Sequence, residues 1–277
     1  MVQNKIKKAY FAEKSAVVTG ASSGIGKEIA RILVQGFGMK VFGAARGKEK
    51  LEEAKAEIES QSFCGGSFVP CVLDVANKSA VESFAEKIKA ESDDLALVIS
   101  NAGRIAKFED FLESDAEISK QILDVNLIGA MNMAKCFLPI LSSKNSQTGF
   151  VIVGSSASVV PVPGALVYSS SKAGVKAFAE VLIAENQNPN LCISFVMPGM
   201  TNTGLFEAAG AELPRFAKKL MSRPERVAKS IVGAAKRKRK FKLIGADAKL
   251  MRFCYVVAPK SFLKFMRKIL KKAKVIQ

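Results

Sequence analysis

A glycine-rich turn at positions 19–26, read as TGASSGIG, constrains the fold of this chain more than any other feature. It follows the short apolar run 15–19 and precedes a stretch in which Ile29, Ile32 and Leu33 recur at helical spacing. Glycines at 20, 24 and 26 can adopt positive φ and let backbone N–H groups approach a ligand closely. Because the amino end of a helix carries partial positive charge, this strand, turn and helix are predicted to bind a pyrophosphate group.

Strand-like and helix-like segments alternate along most of the chain. This alternation predicts a parallel sheet covered by helices on both faces, the doubly wound (Rossmann) fold of the α/β class, in which ligands bind beyond the carboxyl ends of the strands. We expect one domain over residues 1–246 and a basic C-terminal helical extension over 247–277. Strands are expected at 15–19, 39–44, 67–73, 95–100, 149–154, 192–196 and 241–244, and helices at 27–34, 48–61, 79–91, 118–141 and after 167.

Arg46 follows the predicted second strand, where dinucleotide-binding folds place the residue that contacts the adenosine ribose. An acid there binds the ribose 2′-hydroxyl, whereas a basic side chain accommodates a 2′-phosphate. The acid is absent here, so we expect NADP(H) as the cofactor, with Lys48 as a second contact. The alternative interpretation is that Arg46 is a solvated charge at a strand end.

Tyr168 and Lys172 are four residues apart, so a helix would place both side chains on one face. A cation beside a phenol favours the phenolate and lowers the pKa of the tyrosine. The chain has no histidine and three tyrosines, which excludes histidine-dependent triads and histidine metal sites, and we expect no metal. Alternatively, the pair is an ordinary tyrosine and lysine on a surface helix.

The composition favours a cytoplasmic protein. Five cysteines show no paired spacing, which is typical of a reduced compartment, and neither an export signal nor an uncharged apolar run of ~18 residues is present. The net charge of +17 is concentrated in residues 236–277, which hold fifteen Lys and Arg against one acid. Since the rest of the chain is nearly balanced, nucleic acid is not an expected partner.

Seven motifs occur in the order and spacing of the short-chain dehydrogenase/reductase family, which the chain resembles from about residue 15 to 246. They are TGASSGIG at 19–26, LDV at 73–75, SNAG at 100–103, Asn126 within DVNL, the serines 155 and 156, YSSSK at 168–172 and PGMTNT at 198–203. Ser100 departs from the asparagine common at the start of the SNAG element, which we expect to affect packing more than chemistry.

The resemblance implies that Tyr168 is the general acid for carbonyl reduction, that Lys172 lowers its pKa and holds the nicotinamide ribose, and that Asn126 supports a proton-relaying water. Ser155 would polarise the carbonyl, since it keeps the family's usual spacing from Tyr168. Ser156 takes this role if the loop is one residue shorter than usual.

The resemblance also implies a set of cofactor contacts, with Asp74 at the adenine amino group and Thr203 at the nicotinamide carboxamide. The full set is Gly20, Ser22, Ser23, Gly24, Ile25, Gly26, Arg46, Asp74, Val75, Asn101, Ala102, Gly103, Tyr168, Lys172, Pro198, Gly199, Thr201 and Thr203. Relatives often dimerise through the two helices that contain Asn126 and Tyr168, so a homodimer or homotetramer is expected.

The segment 201–223, which covers the substrate in relatives, is rich in large apolar side chains, including Leu205, Phe206 and Phe216. A lid of this kind favours a hydrophobic, lipid-like carbonyl substrate, although the same side chains could simply cover the core. The sequence therefore predicts an NADPH-dependent reductase of such a compound, or an enzyme that catalyses the reverse reaction, the oxidation of an alcohol. The alternative is a non-catalytic NADP(H)-binding sensor docked at a membrane.

The C-terminal residues 259–277 combine apolar side chains at helical spacing with interleaved lysines and arginines, and Ser261 is a plausible N-cap. This pattern is typical of a helix that lies on an anionic membrane surface. The preceding run 250–258 is too short to span a bilayer. Two alternatives stay open: the apolar stripe packs on the protein's own core, or the basic run 236–240 is solvated or binds nucleic acid.

Overall fold

The computed structural model describes residues 9–60, 64–205, 221–273, 275 and 276. The strands are β1 Ser15–Thr19, β2 Lys40–Ala45, β3 Ser67–Val72, β4 Leu95–Ser100, β5 Thr148–Val153, β6 Leu191–Pro198 and β7 Phe241–Ile244. All neighbouring strands pair in parallel, in the order β3-β2-β1-β4-β5-β6-β7. This confirms the predicted doubly wound α/β fold.

Helices connect the strands and cover both faces of the sheet. They are α1 Gly24–Phe37, α2 Lys48–Glu59, α3 Lys78–Glu91, α4 Ala116–Leu123, α5 Gly129–Ser142, α6 Leu166–Glu185, α7 Pro224–Lys236, α8 Ala246–Val257 and α9 Pro259–Lys272. A π-helical segment, Asp124–Ile128, joins α4 to α5.

The central strands are apolar along their whole length because helices bury both faces of the sheet. All five residues of β1 are buried, and they alternate between two cores: Ala16 and Val18 belong to one, and Val17 to the other. The order of the strands reverses beside β1, which pairs with both β2 and β4. In folds of this kind the reversal leaves a crevice at the carboxyl ends of the strands, where ligands bind.

Three local predictions are corrected by the structure. The second strand begins at Lys40, one residue late, and α1 begins at Gly24, three residues before the predicted start, since part of the glycine turn is already helical. The expected continuous helix 118–141 is interrupted by the π-helical segment, whose bonding cannot be read from apolar spacing.

The prediction that Ser261 caps the last helix is wrong. The helix begins at Pro259 with Ala258 in the N-cap position. Proline suits the first helical position because the N–H that it lacks has no partner within the helix there.

Within the described residues, the helical stretch Ala116–Ser142 is long and apolar enough to cross a membrane by length and composition. Half of its apolar window is buried, and Met133, Phe137 and Leu141 pack in the core. A core helix passes the same test, so this stretch is weak evidence for a membrane span.

Candidate active site

The glycine turn is fixed against the end of β4 by hydrogen bonds. The Thr19 hydroxyl accepts from the backbone N–H of Asn101 at 2.9 Å and of Ala102 at 3.0 Å, and the Asn101 side chain donates to the Thr19 carbonyl at 3.0 Å. Gly20 has φ 68°, and a Cβ there would lie 2.9 Å from the Asn101 amide. Glycine at this position therefore lets the two loops meet at the crevice.

A cleft of about 970 Å³ lies at this edge of the sheet. Ser155 lines it, and so does every residue of the cofactor-contacting set that the resemblance implies. Asn126, the proton-relay residue that the resemblance implies, does not line the cleft and is buried. The structure thus brings together residues from loops that are far apart in sequence, and the cleft is of the size that ligand pockets commonly have.

Ser155 occupies a defined position just beyond β5. Its hydroxyl accepts from the N–H of Ala157 at 3.1 Å, while its own N–H donates to the hydroxyl of Ser158 at 3.2 Å. This reciprocal capping box holds a single 3-10 turn, Ser156–Ser158. Ser155 is also hydrogen-bonded to the side chain of Tyr168.

Tyr168 lies in the first turn of α6 and Lys172 one turn later. The Lys172 Nζ is 5.9 Å from the centre of the Tyr168 ring and 3.5 Å from the carbonyl oxygen of Val153. Lys172 is 4% exposed, so its ammonium lies beneath the cleft rather than in solvent. The surface-helix interpretation of this pair is therefore excluded.

Burial dominates the titration of both groups. It lowers the pKa of Lys172 to about 8. It also raises the pKa of Tyr168, and the hydrogen bond from Ser155 lowers that pKa by a smaller amount. The net shift of Tyr168 is upward, which contradicts the predicted lowering by Lys172. Desolvation of the phenolate outweighs the contact with Ser155 that favours it.

Asn126 is held in the π-helical segment, 2% exposed. Its Oδ1 accepts from the N–H of Arg104 at 2.7 Å, and its Nδ2 donates to the carbonyl of Arg104 and the hydroxyl of Ser171, both at 2.9 Å. The side chain thus ties the loop after β4 to the helix that carries Tyr168. These three bonds orient the loop and the helix relative to each other, a role of Asn126 that the sequence did not reveal.

The end of β2 presents basic side chains to the cleft. Arg46 lines it, as predicted, but Lys50 lines it as well, and Lys48 does not. Lys48 is the first residue of α2, and Lys50 is two positions further on, which turns the two side chains to different sides of the helix. The second basic side chain that lines the cleft is therefore Lys50 and not the predicted Lys48.

Asp247 in the first turn of α8 was not recognised in the sequence. Its Oδ2 accepts from the N–H of Met200 at 2.9 Å, and the N–H of Gly199 donates to the carbonyl of Ile244 at 2.7 Å. A side chain on Gly199 would collide with the Asp247 carboxylate. The acid of the basic C-terminal region thus fixes the loop after β6 that lines the cleft.

The apolar side of the cleft comes partly from an unexpected place. Met251 of α8 and Met266 and Leu270 of α9 line it, together with Leu205. The predicted lid residues from Phe206 to Leu220 lie outside the described residues. The C-terminal helices therefore form one wall of the site.

Comparison with known proteins agrees with this architecture. A family model described as short chain dehydrogenase matches residues 14–213. "Probable oxidoreductase EphD" of Mycobacterium tuberculosis is 30% identical over 257 residues, which cover 87% of this chain and 42% of that protein. The chain thus spans less than half the length of that relative.

Two further matches have fuller reciprocal coverage. The "NADP-dependent 3-hydroxy acid dehydrogenase" of Schizosaccharomyces pombe is 31% identical over 190 residues, 69% of this chain and 72% of that protein. Among solved structures, the alcohol dehydrogenase from Thermococcus sibiricus, complexed with 5-hydroxy-NADP, is 26% identical with a TM-score of 0.73. The match covers 84% of this chain and 96% of the Thermococcus protein.

Proposed function

Because this chain belongs to the short chain dehydrogenase family, we propose that it is an NADPH-dependent reductase of hydrophobic carbonyl compounds, with alcohol oxidation as the reverse reaction. One observation carries the proposal: Ser155, Tyr168 and Lys172 converge on the cleft, with Ser155 hydrogen-bonded to Tyr168 and Lys172 buried beneath it.

The residues that line the cleft fit NADP(H). Gly24, Ile25 and Gly26 form the amino end of α1 and line the cleft, a suitable place for a pyrophosphate. Arg46 and Lys50 supply positive charge where a 2′-phosphate would lie, and Arg46 can grip it bidentately. The NADP-bound and NADP-dependent relatives support the same assignment.

The remaining contacts extend along the cleft. Asp74, two residues beyond β3, would hold the adenine amino group, Lys172 the nicotinamide ribose and Thr203 the carboxamide. When bound, the reduced cofactor supplies the hydride, and the chain positions the carbonyl and supplies the proton.

Proton transfer is assigned to Tyr168. A tyrosine phenol is protonated at neutral pH, which is the state that a general acid needs for reduction, and burial raises the pKa of Tyr168 further. The hydroxyls of Ser155 and Tyr168 hold the carbonyl oxygen, and the Tyr168 proton passes to that oxygen as negative charge develops on it. The ammonium of Lys172 then stabilises the phenolate that is left, because the two groups lie on one helical face and the Lys172 Nζ is 5.9 Å from the centre of the Tyr168 ring.

The apolar lining of the cleft supports the proposed substrate class. Met251, Met266 and Leu270 present flexible apolar side chains to the cleft, which supports a hydrophobic ketone over a small polar one.

The discriminating experiment is NADPH oxidation by the intact protein with a panel of ketones, from short polar compounds to long-chain alkyl and polycyclic ones. We expect turnover with product alcohol in stoichiometric amount, and kcat/KM that rises with the apolar size of the ketone. Tight NADPH binding without turnover across the panel would favour the sensor instead.

A further inference from the structure

The two C-terminal helices have apolar side chains on two sides. One set faces inward: Met251, Met266 and Leu270 line the cleft. Beyond the end of α9, Ile276 is 6% exposed and lies against Gly164. Arg267 pairs with Asp110 across a distance of 3.6 Å, which ties α9 to the body. The helices are therefore seated on the domain and form part of the cleft wall.

A second apolar set faces outward. Leu250, Phe253 and Val257 recur on one face of α8 and are 64%, 67% and 69% exposed, Val256 beside them is 69% exposed, and Phe265 of α9 is 59% exposed. Several large apolar side chains that are this strongly exposed indicate a surface that contacts an apolar partner. We call these five residues the outer apolar face.

Positive charge surrounds the outer apolar face. Residues 246–277 contain nine Lys and Arg and one acid, and that acid, Asp247, is engaged with the backbone of Met200. Lys260, Lys264 and Lys268 are exposed on α9 beside Phe265. Exposed aromatic and aliphatic groups interleaved with lysines are complementary to an anionic bilayer surface, which offers acyl chains and phosphate groups together.

A nucleic acid would match the charge but would leave the outer apolar face in water. The lengths of the helices also fit a bilayer surface, because 12 and 14 residues are each too few to span a membrane, which takes ~20. The pair can therefore lie in the interface but cannot cross it.

We propose that α8 and α9 dock this protein on anionic membranes through the outer apolar face, and that their inner face guides a lipid-soluble carbonyl compound from the bilayer into the cleft. The docking stands by itself, while the identity of the guided compound as substrate rests on the proposed function. Met251 and Met266 connect the two surfaces, since they belong to the same helices as Phe253 and Phe265.

Docking is tested by co-sedimentation of the intact protein with vesicles of phosphatidylcholine containing about one third phosphatidylserine. We expect the wild type to pellet at low salt and to be partly released at about 0.5 M salt. The variant Phe253→Ser/Phe265→Ser should bind at least about tenfold more weakly, because it loses two exposed apolar groups. The control Val72→Ser/Phe241→Ser removes apolar side chains that are 64% and 47% exposed on β3 and β7, and it should bind like the wild type.

A wild type that stays in the supernatant, or equal binding of the two double variants, would overturn the docking. Delivery is tested without turnover, with a long-chain ketone that carries a diazirine and is dissolved in the same vesicles. Photolysis should label peptides containing Met251 or Met266 in the wild type, and much less in Phe253→Ser/Phe265→Ser. Labelling confined to other segments would overturn the delivery. A protein that binds and labels as expected but reduces no ketone would contradict only the proposed function.

Discussion

Ser155 is hydrogen-bonded to Tyr168, while the adjacent Ser156 is the buried first residue of the 3-10 turn that Ser155 caps. The relationship supports Ser155 as the residue that polarises the carbonyl. It depends on the capping box, which holds the Ser155 hydroxyl in place through Ala157 and Ser158.

Ser155→Ala should lower kcat by about 10²- to 10³-fold, the usual effect of removing one donor to a developing oxyanion. Ser156→Ala, the neighbouring control, should keep kcat within a few-fold of the wild type. Both are measured by NADPH oxidation with a ketone that the wild type reduces. A collapse in Ser156→Ala with Ser155→Ala little affected would assign the role to Ser156.

Lys172→Met should abolish most turnover yet stabilise the fold at pH 7. Burial lowers the pKa of Lys172 from 10.5 to about 8, so holding its charge at neutral pH costs the folded state up to about 3 kcal/mol. The unfolded wild type binds more protons than the folded one between about pH 8 and 10.5, so the stability of the wild type rises through that window. The advantage of the variant should fade over the same range.

The measurement is the free energy of unfolding in urea at pH 7 and pH 10. Lys176→Met is the control, because Lys176 lies one turn further along α6 in a partly exposed pair with Glu180. We expect no comparable gain there. If Lys172→Met instead lowered the free energy of unfolding at pH 7, the buried charge of Lys172 would not destabilise the folded state.

Arg46→Ala should weaken NADPH far more than NADH, because only NADPH carries the 2′-phosphate that a guanidinium binds with two hydrogen bonds. Lys50→Ala should show the same selectivity to a smaller degree. Lys48→Ala is the matched control, since that lysine does not line the cleft. The readout is kcat/KM for each cofactor, and an equal loss with both would make Arg46 a solvated charge.

Much of this architecture could be predicted from the sequence because its motifs sit at strand ends. Parallel strands bring their carboxyl ends to one edge, so knowing that Gly20, Asp74, Asn101 and Ser155 each follow a strand is enough to place them in one cleft. Lys50 was missed although α2 begins at Lys48, as predicted, because the strand-end pattern does not show which side of the following helix faces the cleft.

Other features depend on contacts between distant segments, which no local pattern encodes. The bond from Met200 to Asp247 spans 47 positions, and the seating of α9 against the cleft depends on Ile276 and Gly164 meeting in space. The direction of the Tyr168 pKa could not be read either, because the spacing of Tyr168 and Lys172 reveals their proximity but not the depth of their burial.

In the proposed reaction, Tyr168 delivers the proton to a carbonyl that NADPH reduces. The most direct measurement compares kcat and the NADPH dissociation constant of the wild type and Tyr168→Phe, which keeps the ring and removes the acid. We predict that kcat falls by about 10²- to 10⁴-fold while the dissociation constant changes less than about threefold. A variant that retains more than about a tenth of the wild-type kcat would contradict the account.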